Sequence, residues 1–235
     1  MFTLKAITNN AMYAAFVATA LVLFAFTAFF AAEPSVIYGQ AATSTPFTIT
    51  QTITGENSFL VQPTDVTMSG SIAGLTGGNA TGSTQFVVQS NNSSGYYVNI
   101  QFTDNAGAYA MYGDTTGSDS IRDYDESTPG TADFGFTAST ASQFAYSVIS
   151  STTADTAQGF DHAASNCNSG GADNADLTCW KAPTTADYEI VRRGSAAPTG
   201  ATSTIVFKVD VPSGAVPTPV TDTYTATATL TLYLQ

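Results

Sequence analysis

Five carboxylates lie close together in one stretch of the chain: Asp114, Asp119, Asp123, Asp125 and Glu126. Carboxylate oxygens spaced within about a dozen residues are the ligands that Ca²⁺ takes in many protein loops. The pattern departs from an EF-hand, because no glycine occupies the sharp-turn position and no bidentate glutamate closes the loop. The sequence therefore leaves two readings open: a calcium site formed by Asp119, Asp123 and Asp125, or simply solvated carboxylates.

The two cysteines, Cys167 and Cys179, are the next candidates for chemistry. If the chain is exported, an even number of cysteines predicts one disulfide. In the chain-entropy model, closing so short a loop contributes about 2 to 3 kcal/mol to stability. A zinc or redox pair is disfavoured, because Cys-x-x-Cys spacing is absent and His162 is the only histidine.

The remaining chemical patterns indicate neither catalysis nor nucleic-acid binding. No serine lies in a Gly-x-Ser-x-Gly turn, and no glycine-rich phosphate loop occurs. The formal net charge is −12 with only six Lys and Arg residues, and Arg192 and Arg193 are the only adjacent basic pair. A phosphate backbone requires clustered cations. We therefore expect that the protein is not an enzyme, that it has no cofactor other than a calcium ion, and that it does not bind nucleic acid.

An uncharged apolar run at residues 11–32 indicates the compartment in which any such site would work. As a helix it would rise about 33 Å, enough to cross a bilayer core. Lys5 precedes it and Glu33 follows it, which places the N-terminus in the cytoplasm and the rest of the chain outside. Gly39-Gln40-Ala41 is a small-x-small cleavage pattern. Residues 1–41 are therefore a signal peptide or a retained membrane anchor.

Beyond residue 42 the apolar residues recur with a period of two, the period of a β-strand with one buried face. The pattern is clearest at residues 223–234. One predicted face there carries Tyr224, Ala226, Ala228, Leu230, Leu232 and Leu234, and the other carries Thr223, Thr225, Thr227, Thr229, Thr231 and Tyr233. Residues 96–102, 144–148, 205–211 and, less regularly, 188–190 repeat it. The spacing predicts about ten strands in one all-β sandwich or barrel domain, residues 43–235.

Turn-forming residues separate these strands. Residues 91–95, Asn-Asn-Ser-Ser-Gly, predict a hairpin between a strand at 86–89 and the strand from Tyr96. Residues 104–131 and 150–185 are rich in Gly, Asp, Ser and Thr, and we expect long loops there. Loops of that length in a compact domain are usually functional or mobile.

Two segments of the chain resemble a known group of exported subunits. They are residues 84–102 and the C-terminal run Val211-Pro212-Ser213-Gly214, followed by Thr221-Asp222-Thr223-Tyr224-Thr225-Ala226-Thr227-Ala228-Thr229-Leu230-Thr231-Leu232. They are similar to the spore coat protein U and archaic chaperone–usher pilin group, and more loosely to WxL cell-surface domains. The resemblance implies an immunoglobulin-like antiparallel β-sandwich that is exported to the cell surface and able to polymerise.

One further segment suits polymerisation. Phe47, Ile49 and Ile53 alternate with threonines after the predicted cleavage site. A free strand of this kind could complete the sheet of a neighbouring copy, or it could pair inside its own domain. We therefore expect an exported surface protein with a structural or adhesive role, such as a fibre subunit. Its partners would be other surface proteins or further copies of itself, with the membrane contacted through the N-terminal segment. The alternative is a monomeric module that binds a glycan or a protein through the long loops.

Overall fold

The computed structural model describes residues 3–31, 47–104, 108–169 and 177–235, with only the backbone described at residues 3–10 and 30. The chain divides into two compact units, Met1–Gln51 and Thr52–Gln235. The predicted cleavage site at Gly39-Gln40-Ala41 lies outside the described residues.

The first unit contains one long helix, α1, at Thr3–Ala31. Its central part, Ala11–Phe29, has a mean hydropathy of 2.1 and is long and apolar enough to cross a membrane, properties that a signal sequence shares. The Thr19 hydroxyl donates to the Ala15 carbonyl at 2.8 Å, and the Thr27 hydroxyl donates to the Leu23 carbonyl at 3.0 Å. These polar groups are therefore satisfied within the helix, as an apolar environment requires.

The second unit is built from strands. The strands are β1 (Asn57–Val61), β2 (Gly78–Ser90), β3 (Tyr96–Thr103), β4 (Met111–Gly113), β5 (Ser120–Asp123), β6 (Asp133–Phe134), β7 (Gln143–Ser150), β8 (His162–Ala163), β9 (Asn166–Cys167), β10 (Cys179–Trp180), β11 (Tyr188–Arg193), β12 (Ala197–Val211) and β13 (Tyr224–Leu234). Short 3₁₀ helices occupy Thr153–Asp155 and Gln158–Phe160. The alternating segments at 96–102, 144–148, 188–190, 205–211 and 224–234 all lie in strands, whereas the alternating residues 47–53 do not. The predicted β-rich fold is confirmed.

Nine of these strands form one sheet in the order β1-β2-β12-β7-β5-β4-β13-β3-β11. The pairs are antiparallel except for β5 and β7, which run parallel. The Arg122 N–H donates to the Ser142 carbonyl and the Tyr124 N–H donates to the Phe144 carbonyl across this pair. The sheet is therefore mixed rather than wholly antiparallel as predicted. The long connection between β5 and β7 allows this, because parallel neighbours need a crossover of a dozen or more residues.

The sheet folds back on itself around one core. On β3 the alternating residues Tyr96, Val98, Ile100 and Phe102 are all 2% exposed or less. The Phe102 ring lies 6.1 Å from the ring of Phe144 and 5.3 Å from that of Tyr146, both on β7. Because β3 and β7 are far apart in the strand order, these contacts show that two parts of the sheet face each other across buried aromatic side chains.

The turn at residues 91–95 is present, but the predicted hairpin is wrong. β2 pairs with β1 and β12, whereas β3 pairs with β13 and β11. The turn therefore carries the chain from one part of the sheet to another. Gly95 makes the change of direction with a φ of +87°, and a Cβ there would collide with the Arg193 carbonyl oxygen. Only glycine tolerates both conditions without displacement of the backbone.

The two stretches predicted as long loops contain short elements. β4 and β5 lie within residues 104–131, and both 3₁₀ helices, β8, β9 and β10 lie within residues 150–185. β10 pairs with β6, with Cys179 opposite Phe134, so the second stretch is fastened beside the region that follows the first.

Candidate functional site

An exposed apolar segment precedes the first strand. Residues 47–56 form no strand, and Phe47, Ile49 and Ile53 are each 83% exposed. The backbone just before β1 is held by Asn91, whose side chain donates to the Thr54 carbonyl at 3.2 Å and accepts from the Glu56 N–H at 2.6 Å. In the described residues the segment therefore presents three large apolar side chains to solvent.

Strand β1 is an open edge of the sheet. Among the described strands it pairs only with β2, and the register shifts between Phe59 and Val61. Phe59 packs inward against the Phe86 ring at 5.9 Å, while Leu60 is 56% and Val61 48% exposed. An uncharged edge with exposed apolar side chains is a typical surface for pairing with another strand.

The predicted disulfide is present between Cys167 and Cys179, with their Cα atoms 5.9 Å apart. Cys167 lies on β9 opposite His162 of β8. The His162 ring packs edge-on against Phe134 at 5.4 Å, and its Nδ1 lies 3.2 Å from the Ala164 carbonyl. The disulfide therefore joins β9 to β10, and the histidine contributes to the packing beside it.

The three predicted calcium ligands have separate surroundings. Asp119 accepts from the Thr116 hydroxyl at 2.7 Å, Asp123 accepts from the Ala110 N–H at 3.1 Å, and Asp125 is exposed. Within the described ranges, no group of three or more His, Cys, Asp or Glu side chains could hold a metal ion. Burial raises the pKa of Asp123 to about 6; the Ala110 hydrogen bond opposes this shift and the Asp104 carboxylate adds to it. Asp123 is therefore a partly desolvated carboxylate.

A buried ion pair connects the two predicted loop stretches, and sequence reasoning missed it. Lys181 Nζ lies 2.5 Å from Glu126 Oε1, and the two side chains are 3% and 5% exposed. Glu126 also accepts from the Ala182 N–H at 2.9 Å and the Gly130 N–H at 2.6 Å. The Lys181 ammonium lies 4.9 Å above the Tyr188 ring. The scarcity of lysine was the only signal in the sequence, and it does not identify a partner 55 residues away.

An apolar cavity of about 820 Å³ lies between the facing parts of the sheet. Its walls include Ile100 and Phe102 of β3, Phe144 of β7, and Ile205 and Phe207 of β12. The small residues Ala226 and Ala228 of β13 also line the cavity. On the predicted apolar face of β13, Ala228 and Leu234 are exposed and the other residues are partly buried, so this face does not lie fully within the core as its alternation predicts.

The two adjacent arginines are both engaged. Arg192 forms an exposed ion pair with Glu189, and Arg193 Nη1 lies 2.5 Å from Asp155 Oδ2. The basic pair noted in the sequence is therefore largely neutralised by these carboxylates.

These features identify four candidate sites: the exposed segment at 47–53, the edge strand β1, the joined stretches around the disulfide, and the cavity. Comparisons with protein-family models, with curated proteins and with solved structures found no match for this chain.

Proposed function

We propose that this chain is an exported cell-surface protein with a structural or adhesive role, and that copies associate through strand addition. The apolar helix α1 and the Cys167–Cys179 disulfide both support export, because disulfides persist mainly in oxidising compartments outside the cytoplasm. The low content of charged residues, 10% of the chain, suits strands whose outer face is hydroxylic.

We infer that the folded sheet is a sandwich of the immunoglobulin-like kind. The contacts of Phe102 on β3 with Phe144 and Tyr146 on β7 support two facing layers. The long strands β12 and β13 belong to the two different layers in this interpretation. The sandwich would hold the edge strand and the loop stretches at defined positions outside the membrane.

The single observation that carries the proposal is the exposure of Phe47, Ile49 and Ile53. Burial of a large apolar side chain is worth about 1.5 to 3 kcal/mol relative to exposure. Three such side chains in a segment of seven residues therefore favour a partner. Phe47, Ile49 and Ile53 lie an even number of residues apart, so they would share one face of an added strand.

The open edge of β1 is the acceptor that we propose. Its exposed Leu60 and Val61 would be covered by the incoming segment, and its unpaired backbone groups would form main-chain hydrogen bonds with it. The donor segment would come from a second copy of the chain.

A second candidate function is a monomeric module that binds a glycan or a protein. The observation that favours it is the Lys181–Glu126 ion pair, which joins the two loop stretches. Phe134 of β6, opposite Cys179 of the second stretch, is 40% exposed and would be part of the binding surface.

The test is to measure the assembly of the full-length protein in lipid nanodiscs and vesicles by cross-linking and electron microscopy. The variant F47S/I49S/I53S removes the apolar face, and T48A/T50A is the matched control on the other face. We expect wild type and control to form cross-linked ladders, while the apolar variant stays monomeric with its disulfide intact. Assembly of the apolar variant at the wild-type level would contradict strand addition. A monomeric wild type that binds a glycan array would favour the second candidate.

A further inference from the structure

The cavity beside β13 is large enough to be a ligand site. Its volume of about 820 Å³ falls within the range of about 300 to 1,000 Å³ that small-molecule sites occupy. The space is open to solvent on one side, and its wall contains several nearly fully buried aromatic and aliphatic side chains. A concave, partly open space with an apolar wall is the usual form of a small-molecule site.

The walls determine the chemistry of the part of a ligand that would enter. Phe102 and Phe144 are 2% exposed and Ile205 is 1% exposed, so the deep surface is apolar. The hydroxyl of buried Thr84 is already engaged as acceptor for the Thr64 N–H at 2.8 Å. The deep part of the cavity thus suits a hydrocarbon chain, which requires no hydrogen-bond partner.

The mouth determines the headgroup. Asp65 and Asp222 are among the residues that line the cavity, together with several threonines, and no Lys, Arg or His occurs among the described lining residues. A hydrogen bond from the Thr115 side chain, and further bonds from the backbone N–H groups of Thr223, Thr115 and Thr116, lower the pKa of Asp222. Asp222 is therefore a carboxylate at neutral pH. With a net charge of −12 on the chain, an anionic headgroup would meet repulsion without a compensating cation.

We propose that this cavity binds the alkyl chain of a single-chain amphiphile whose headgroup is neutral or cationic, with the headgroup beside Asp65 and Asp222 at the mouth. No residue of β1 lines the cavity, so the proposal does not require that copies of the chain associate. Removal of one methylene from the ligand should weaken binding about fourfold until the chain no longer fills the cavity.

The test uses the full-length protein in nanodiscs of zwitterionic diacyl phospholipid, which avoids detergent as a competitor. The neutral fluorophore phenylnaphthylamine is the probe, and empty nanodiscs give the lipid background. Ala228→Trp fills the cavity, whereas Thr227→Trp places the same side chain on the opposite face of β13 as a matched control. Dodecyltrimethylammonium, dodecanol and dodecanoate, which share one chain length, serve as competitors.

We expect wild type and Thr227→Trp to show saturable probe binding above the lipid background, and Ala228→Trp to weaken it about tenfold or more. Dodecyltrimethylammonium and dodecanol should displace the probe at concentrations about tenfold lower than dodecanoate. The proposal would be overturned if wild type showed no saturable binding, or if Ala228→Trp bound the probe as well as wild type. It would also be overturned if dodecanoate displaced the probe as well as the other two competitors do.

A second variant covers the case in which Ala228→Trp fails to fold. Asp65→Lys changes an exposed side chain at the mouth and leaves the apolar walls intact. It should move the preference between dodecyltrimethylammonium and dodecanoate about tenfold toward dodecanoate. An unchanged preference would show that the headgroup does not lie beside Asp65, which would overturn the proposal.

Discussion

Replacement of Lys181 by methionine should be one of the most destabilising conservative changes in the chain. Methionine keeps an unbranched side chain but removes the ammonium that lies 2.5 Å from Glu126 Oε1. The Glu126 carboxylate would then remain buried without its cation, while the contact of the ammonium with the Tyr188 ring at 4.9 Å would also be lost.

The structure sets the size of the effect. Both side chains are 5% exposed or less, and removal of one partner from a buried pair costs roughly 3 to 5 kcal/mol. Two backbone N–H groups, from Ala182 and Gly130, still donate to Glu126 and retain part of its stabilisation. We therefore expect a loss near the lower end, about 3 kcal/mol.

Arg192→Met is the matched control, because Arg192 and Glu189 form an ion pair with side chains that are 52% and 28% exposed. Exposed pairs contribute about 0.2 to 1 kcal/mol, so this variant should lose less than about 1 kcal/mol. The assay is equilibrium unfolding by urea under non-reducing conditions, followed by the fluorescence of Trp180, the only tryptophan. Trp180 lies in the second unit beside Lys181, so the signal reports the unfolding of the sheet.

The double variant Lys181→Met/Glu126→Gln separates the loss of the contact from the cost of the stranded charge. It should recover part of the loss of Lys181→Met, because no buried carboxylate remains. The recovery is partial, because the glutamine amide nitrogen cannot accept a backbone N–H as the replaced oxygen does. Equal losses for Lys181→Met and Arg192→Met, or no recovery in the double variant, would refute this account of the pair.

Two further predictions concern the turn at Gly95 and the acidic residue Asp123. Gly95→Ala should lose about 3 kcal/mol in urea unfolding, because φ is +87° and the new Cβ would meet the Arg193 carbonyl. Gly130→Ala has the same φ with open space around it and should lose only about 1 kcal/mol, so equal losses would contradict the steric argument. The raised pKa of Asp123, about 6 against an ordinary 3.8, means that the folded state binds more protons between those values. Its contribution to stability therefore increases as the pH falls through that window, and wild type should gain stability relative to Asp123→Asn between about pH 7 and pH 4. Identical pH dependence of the two urea midpoints would show that Asp123 titrates normally.

Much of the fold follows from local patterns. The alternation at residues 96–102 and 223–234 predicts strands, because successive side chains of a pleated strand point to opposite faces. The order in which the strands pair does not follow from local patterns, because it depends on residues far apart in the chain. Gly95 marks a turn in the sequence. Only the structure shows that β2 lies between β1 and β12 and that β3 lies between β13 and β11, so the turn connects strands that do not pair.

The candidate sites also fall into those that local sequence predicts and those that only the tertiary structure shows. Local sequence alone determined the apolar helix, the cysteine pair and the alternating segment at Phe47, Ile49 and Ile53, because composition and spacing within a few residues define each of them. Tertiary structure decided the Lys181–Glu126 pair and the cavity, because both arise where distant segments meet. Segments as distant in the chain as Pro63, Phe144 and Ala226 line the cavity, and no pattern within a few residues of sequence indicates that they meet around an open space.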